Sequence, residues 1–304
     1  MDLVVETYGT YRREFEDTFN GLRHRGQVIQ KRALQFLTDT RAQVNPQKQK
    51  LVQLVSDTSD INIPHKVVVG TFAWASVLIL GASIGSFLGS FVLDLFISCF
   101  VGKVGAAVLA FLIIPIYAYN TIKKDEAAGV PDAIIRFSLL FLAIIQGILA
   151  GHTISSSYLS AQPLAFFTPA VIALTFPVIH TLCIHPCLFY LLFQSIAHSI
   201  GTNRVSLFCG VLGTALTLNL LLGAVAGYLT TAYFLLTVLY ISSASIVLQF
   251  VCQDVKYNEV QLHTYQLALL ILFVLVKNFV FLTFGSQQYV ESFKKGEDLS
   301  QAIH

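Results

Sequence analysis

Charge is what this sequence has least of. Only 12% of its 304 residues are Asp, Glu, Lys or Arg, about half the share usual in a soluble domain. Reading back from Asp254, the next charged residue is Arg204 and the one before it is Arg136. Runs that long without a formal charge argue against a soluble fold and for surface that faces hydrocarbon. The net charge of +2 and the lack of a long basic run exclude a nucleic-acid partner. Cysteine is sparse as well. Cys99, Cys183, Cys187, Cys209 and Cys252 all lie in apolar stretches, and an odd count without a secretory leader is no disulfide framework. The first residues, "MDLVVETYGTYRREFEDTF", lack the early apolar core of a signal peptide, and their acids oppose the acid-poor rule of transit peptides. Also missing are any Ser-His-Asp arrangement, HExxH, P-loop or dinucleotide fingerprint. No catalytic residue, metal ligand or cofactor is therefore predicted, and the expectation is a protein that is not an enzyme.

What is present is apolar length. Hydrophobic residues make up 55% of the chain, and the mean hydropathy is +0.69. Three regions are expected: a polar amphipathic extension over 1–62, an apolar helical bundle over 63–285 and a polar tail over 286–304. The extension is strongly charged, for residues 1–60 hold 9 of the 19 Lys+Arg and 8 of the 17 Asp+Glu. Phe15, Phe19, Leu22, Ile29, Ala33, Phe36 and Leu37 fall at spacings of three and four, which predicts an amphipathic helix. Such a helix suits a membrane surface or a partner protein.

Beyond Pro64, seven segments approach the roughly 20 residues that a spanning helix needs: 66–89, 99–120, 134–157, 164–185, 205–226, 229–251 and 262–284. The fold class is thus all-α, a multi-pass transmembrane bundle with an N-terminal amphipathic helical extension. The hinges are "KKDEAAGVPD", "SAQP" and "GTNR". If the segments alternate, Lys123, Lys124, Arg204, Lys256 and the basic extension share one side, so the N-terminus is expected in the cytosol or an organelle matrix. The parity requires that 187–203 is not a further span. The last segment, which carries Lys277 and Asn278, either crosses or re-enters.

Several constellations need weighing. "HTLCIHPC" (180–187) offers two His and two Cys. On one helix His180, Cys183 and Cys187 share a face while His185 points away, Pro186 interrupts the ladder, and no carboxylate stands near. Helix-end histidines and buried thiols account for it better than zinc. Prolines 163, 169, 177 and 186 predict a kinked or broken fourth helix. Small residues recur at packing spacing: Gly81, Gly85 and Gly89, Gly147 and Gly151, Ser242 and Ser245. Asp254 and Lys277 are ionisable groups at or inside apolar runs, where function is the default hypothesis. A solvated helix end for Asp254 and a snorkelling chain for Lys277 are equally good accounts.

Three passages carry a family resemblance. "HKVVVGTFAWASVLILGASIGSF", "RFSLLFLAIIQGILAGHTISSSYLSAQPLAFFTPAVIALTF" and "LYISSASIVLQFVCQDV" followed by "HTYQLALLILF" make residues 64 to 285 resemble the transmembrane Bax-inhibitor-motif family. The resemblance implies a proton- or cation-sensing pair of aspartates that closes a calcium-permeable path. Asp254 matches the first aspartate, but the place of the second is Gln266, with Glu259, His263 and Lys277 as supporting polar groups. An amide cannot titrate, and a lone carboxylate lacks the like-charge coupling that raises a pKa. The resemblance therefore implies a degenerate sensor.

The expected role is a structural or accessory subunit of a larger membrane complex, for instance a respiratory one. Its partners would be the lipid bilayer and proteins held through the N-terminal segment, in the mitochondrial inner membrane or the endoplasmic reticulum. The alternative is a pH-sensitive calcium or cation leak, or a cell-death and ion-homeostasis regulator.

Overall fold

The computed structural model describes residues 65–159, 161–184, 204–257 and 261–285, all within the second of two compact units, Thr58–His304. Its regular elements among the described residues are helices. The first, α1 (His65–Phe87), follows Pro64 and runs into a wider π turn, Leu88–Val92, closed by the bond from Leu93 N–H to the Leu88 carbonyl. After the short α2 (Asp94–Ser98), one long rod contains α3 (Lys103–Val108), a second π turn (Leu109–Ile113) and α4 (Ile114–Ala127). Pro115 explains the second widening. It brings no N–H for the carbonyl four residues back, and its ring crowds that turn.

Gly129, at φ 68°, ends α4 where "KKDEAAGVPD" placed a hinge. Only a residue without Cβ takes that left-handed conformation easily, and it lets Val130 N–H reach the Asp125 carbonyl. Next come α5 (Asp132–Thr153), α6 (Phe167–Ile184), α7 (Arg204–Val225), α8 (Thr231–Tyr257) and α9 (Leu262–Phe284). Among the described residues, six stretches are long and apolar enough to cross a membrane: Lys66–Val92, Lys103–Ala127, Asp132–Thr153, Leu207–Val225, Thr231–Asp254 and Leu262–Phe284. The fourth expected segment is the helix Phe167–Ile184, with Pro177 inside it; the side chains beyond Ile179 lie outside the described residues. The last segment is one continuous helix of 23 residues rather than a re-entrant loop.

Three helices, α1, α5 and α9, run parallel. Gln266 Nε2 donates to the Gly70 carbonyl at 3.2 Å near their starts, and Lys277 Nζ reaches Ser86 Oγ at 3.1 Å near their ends. Asp132 and His263 join the starts of α5 and α9. The seam between α1 and α5 is built on glycine. A Cβ on Gly85 would strike the Ile144 carbonyl, one on Gly89 the Ile148 carbonyl, one on Gly147 the Ala82 carbonyl and one on Gly151 the Ser86 carbonyl. Such contact of backbone with backbone is what small residues at four-residue spacing allow. The Ser242/Ser245 spacing works otherwise: Ser242 is exposed and bonds its own helix, while Ser243 and Ala244 face inwards.

The core lies where α8 and α9 meet the rest. Tyr240 stacks on Phe273 with ring centroids 4.5 Å apart, and Phe72, Phe176, Leu236, Leu248 and Leu270 are buried. The outside is just as apolar. Leu95, Phe137, Phe141, Leu174, Leu221, Phe279 and Leu282 all stand more than half exposed.

Candidate functional site

The starts of α5 and α9 gather most of the candidate residues named from sequence. Asp254, near the end of α8, accepts a hydrogen bond from the Tyr265 hydroxyl. Gln266, one residue on, turns the other way. It is fully buried, spends its amide N–H on the Gly70 carbonyl, and sets Oε1 3.3 Å from His263 Nδ1. The other ring nitrogen of His263 is 3.5 Å from Asp132 Oδ1. Asp132 also lies 3.6 Å from Arg136, whose guanidinium sits over the Trp74 ring at 5.1 Å. Asp254 and Gln266 thus belong to two hydrogen-bonded sets, one closing the α8–α9 turn and one tying α9 to α1 and α5. Glu259 lies outside the described residues, as do the side chains of His180, Cys183, His185 and Cys187.

Lys277 is in a different place. Its ammonium reaches between α1 and α9, donates to Ser86 Oγ and lies 5.7 Å from the centre of the Phe281 ring. No carboxylate pairs with it among the described residues. Beside it is a small, partly open cavity, walled by Ile79, Ala82, Gly147, Ala150, Phe273 and Val274. Ser83, Ser86, Lys277 and Asn278 supply its polar lining. Glycine and alanine make the space: α1 and α5 touch by backbone, so they cannot fill the corner where α9 arrives.

The chain before α6 closes the cavity from another side. Ser76, halfway along α1, donates to the Phe166 carbonyl at 2.9 Å, and Ala165 lines the cavity. α6 therefore starts beside the middle of α1 rather than at its end.

Several further polar groups lie at the far ends of α1 and α5. His152 is buried, and its Nδ1 lies 2.6 Å from Asp94 Oδ1. A carboxylate only accepts, so Nδ1 carries the hydrogen of that bond. Nε2 has no partner among the described residues. Thr153 Oγ1 lies 2.9 Å from Asn278 Oδ1, and Asn278 Nδ2 donates to the Val274 carbonyl. At mid-depth the buried Gln146 donates to the Ala110 carbonyl at 3.2 Å, one that the π turn loosens from its own helix. The serines of α1 gave a faint signal, Ser83, Ser86 and Ser90 being three and four apart on one helical face.

Among the described residues no three His, Cys, Asp or Glu side chains gather as a metal site. Several polar groups are hydrogen-bonded between helices, while Arg136 Nε, Gln146 Oε1, His152 Nε2 and Thr264 Oγ1 have no partner among the described residues. The interhelical bonds can hold helices in register.

Comparison with known proteins gives one assignment. A family model described as Interactor of ZYG-11 matches residues 1–287, so the chain belongs to that family. The match corrects the Bax-inhibitor resemblance. Apolar helices with small-residue spacing recur in any packed helical bundle, and that shared pattern is what the three quoted passages carried. No curated protein and no solved structure matches the chain.

Proposed function

We propose that this chain, a member of the Interactor of ZYG-11 family, is a multi-pass integral membrane protein that works without catalysis, as an accessory subunit holding protein partners. The observation that carries the membrane half is the apolar perimeter. Helices of 19 to 27 residues expose Leu112, Phe137, Phe141, Leu221, Phe279 and Leu282 along their lengths. A soluble monomer rarely exposes contiguous apolar patches beyond a few hundred Å². A bilayer about 30 Å thick would cover the perimeter at no cost.

The partner half rests on the family description, which names an interaction with ZYG-11. A protein of that kind is the partner proposed for this chain. Charge favours the segment 1–62 as its docking region, because the bundle's own surface offers little for a water-soluble protein to pair with. By the same charge rule that segment lies with Lys123 and Lys124 on the cytosolic or matrix side.

Two measurements test the two halves. After expression of the full chain, alkaline carbonate washing should leave it in the membrane pellet and detergent should dissolve it; release by carbonate alone refutes insertion. With detergent-solubilised protein, a ZYG-11 partner should be recovered with the native chain. Charge reversal at Arg23, Arg25, Lys31 and Arg32 should lower that recovery several-fold. Equal recovery with the reversed chain refutes docking through 1–62.

A further inference from the structure

We infer that the cavity beside Lys277 is a binding site for a small monovalent anion of the halide class. The first ground is a surplus of donors. Of the three Lys277 N–H groups, one is used on Ser86 Oγ. The Ser86 hydroxyl accepts that bond and gives its own hydrogen to no described residue. Asn278 spends one amide hydrogen on the Val274 carbonyl and keeps the other. Ser83 has already given its hydrogen to the Ile79 carbonyl, so it adds no donor. Several N–H and O–H groups and one positive charge thus border a cavity whose remaining walls are Ile79, Ala82, Gly147, Ala150, Ala165, Phe273 and Val274. A water molecule brings hydrogens of its own and leaves such a surplus in place. An anion consumes it and neutralises the ammonium.

The second ground is the backbone beside it. α6 begins two residues after Ala165, and Ala165 lines the cavity. The positive end of an 18-residue helix therefore starts next to the same space as the ammonium. Pro169 removes one N–H from that first turn, so the helix supports the anion through its field, while the hydrogen bonds come from Lys277, Ser86 and Asn278.

Size and position choose the class. The room for solvent suits one or two water-sized bodies, which favours a bare halide over a phosphate or a fatty-acid head with its tail. The lining comes from α1, α5, α9 and the chain before α6, so helices frame a space that is open on one side. The room is small for a carboxylate carried on a partner's helix, whereas a single ion fits. The inference does not rest on the membrane reading, because these walls are protein.

The test uses the full chain purified in detergent and measures its thermal unfolding midpoint at constant ionic strength as sodium gluconate is replaced by sodium chloride. The expected result is a saturable rise of a few degrees with chloride and with bromide. Lys277→Met should abolish it and Lys277→Arg should preserve it. Ser86→Ala keeps the charge but removes a donor, and should raise the half-saturating chloride concentration several-fold. No difference between chloride and gluconate in the native protein overturns the proposal. So does an equal rise in Lys277→Met or, where that variant does not fold, unchanged half-saturation in Ser86→Ala. Retention in carbonate-washed membranes is read separately, so failure of this site and failure of the membrane assignment give different results.

Discussion

One helix, α1, meets its neighbours in two ways. Towards α5 it presents Gly81, Gly85 and Gly89, and the contact there is main chain on main chain. Towards α9 it presents Ser83 and Ser86, and the contact opens into a cavity with an ammonium at its edge. The first interface has no room for change and the second has room to spare. Both follow from small residues, used once to bring helices together and once to leave space between them. The difference shows that a stripe of small side chains is a fold-making device until a larger polar residue arrives opposite it.

Breaking the tight side should have the largest effect. Gly85→Leu or Gly147→Val has to push α1 and α5 apart, and should cost at least the ~1–3 kcal/mol typical of overpacking or prevent recovery of folded protein. Gly102→Ala and Gly213→Ala, where an added Cβ meets nothing within 4 Å, are the controls, and thermal unfolding in detergent reads all four. Phe273→Ala comes next. It removes the ring stacked on Tyr240 and enlarges the cavity, for an expected loss of about 3–5 kcal/mol by the same measurement.

On the open side the effects should be smaller. Asn278→Leu gives up the bonds to Thr153 and to the Val274 carbonyl, and leaves partners unsatisfied at about 1–3 kcal/mol. Asp254→Asn retains an acceptor for Tyr265 and should change stability by no more than ~1 kcal/mol, the usual value of a single hydrogen bond. A larger loss would mean that the charge of Asp254 itself holds the α8–α9 turn. Smallest of all should be Phe137→Ala on the perimeter, within about 0.5 kcal/mol by unfolding in detergent; a loss of several times that would show this face to be packed rather than bathed.

Much of the bundle was legible in advance because its signals are local. Apolar runs of spanning length gave six of the helices, Gly129 and Pro131 marked the turn between α4 and α5, and the glycine spacing announced the α1–α5 seam. Asp254 and Gln266 were singled out from their positions, yet their partners were not, since Tyr265, Gly70 and His263 are chosen by the rotation of α9 about its own axis. Lys277 stood out as a cation in an apolar run. Nothing along the chain said that Ser86, 191 residues away, would be its hydrogen-bond partner, or that Ala165 would wall the same space.

The sequence by itself determined that this is a chain of long apolar helices with its charge gathered at the ends, because hydropathy, helix length and turn residues are properties of neighbours in the chain. Only the tertiary structure decided which helices run parallel, that α6 starts beside the middle of α1, and that a lysine with no carboxylate partner among the described residues borders a cavity. Those outcomes depend on how close two backbones approach, and that distance is set jointly by residues far apart in sequence.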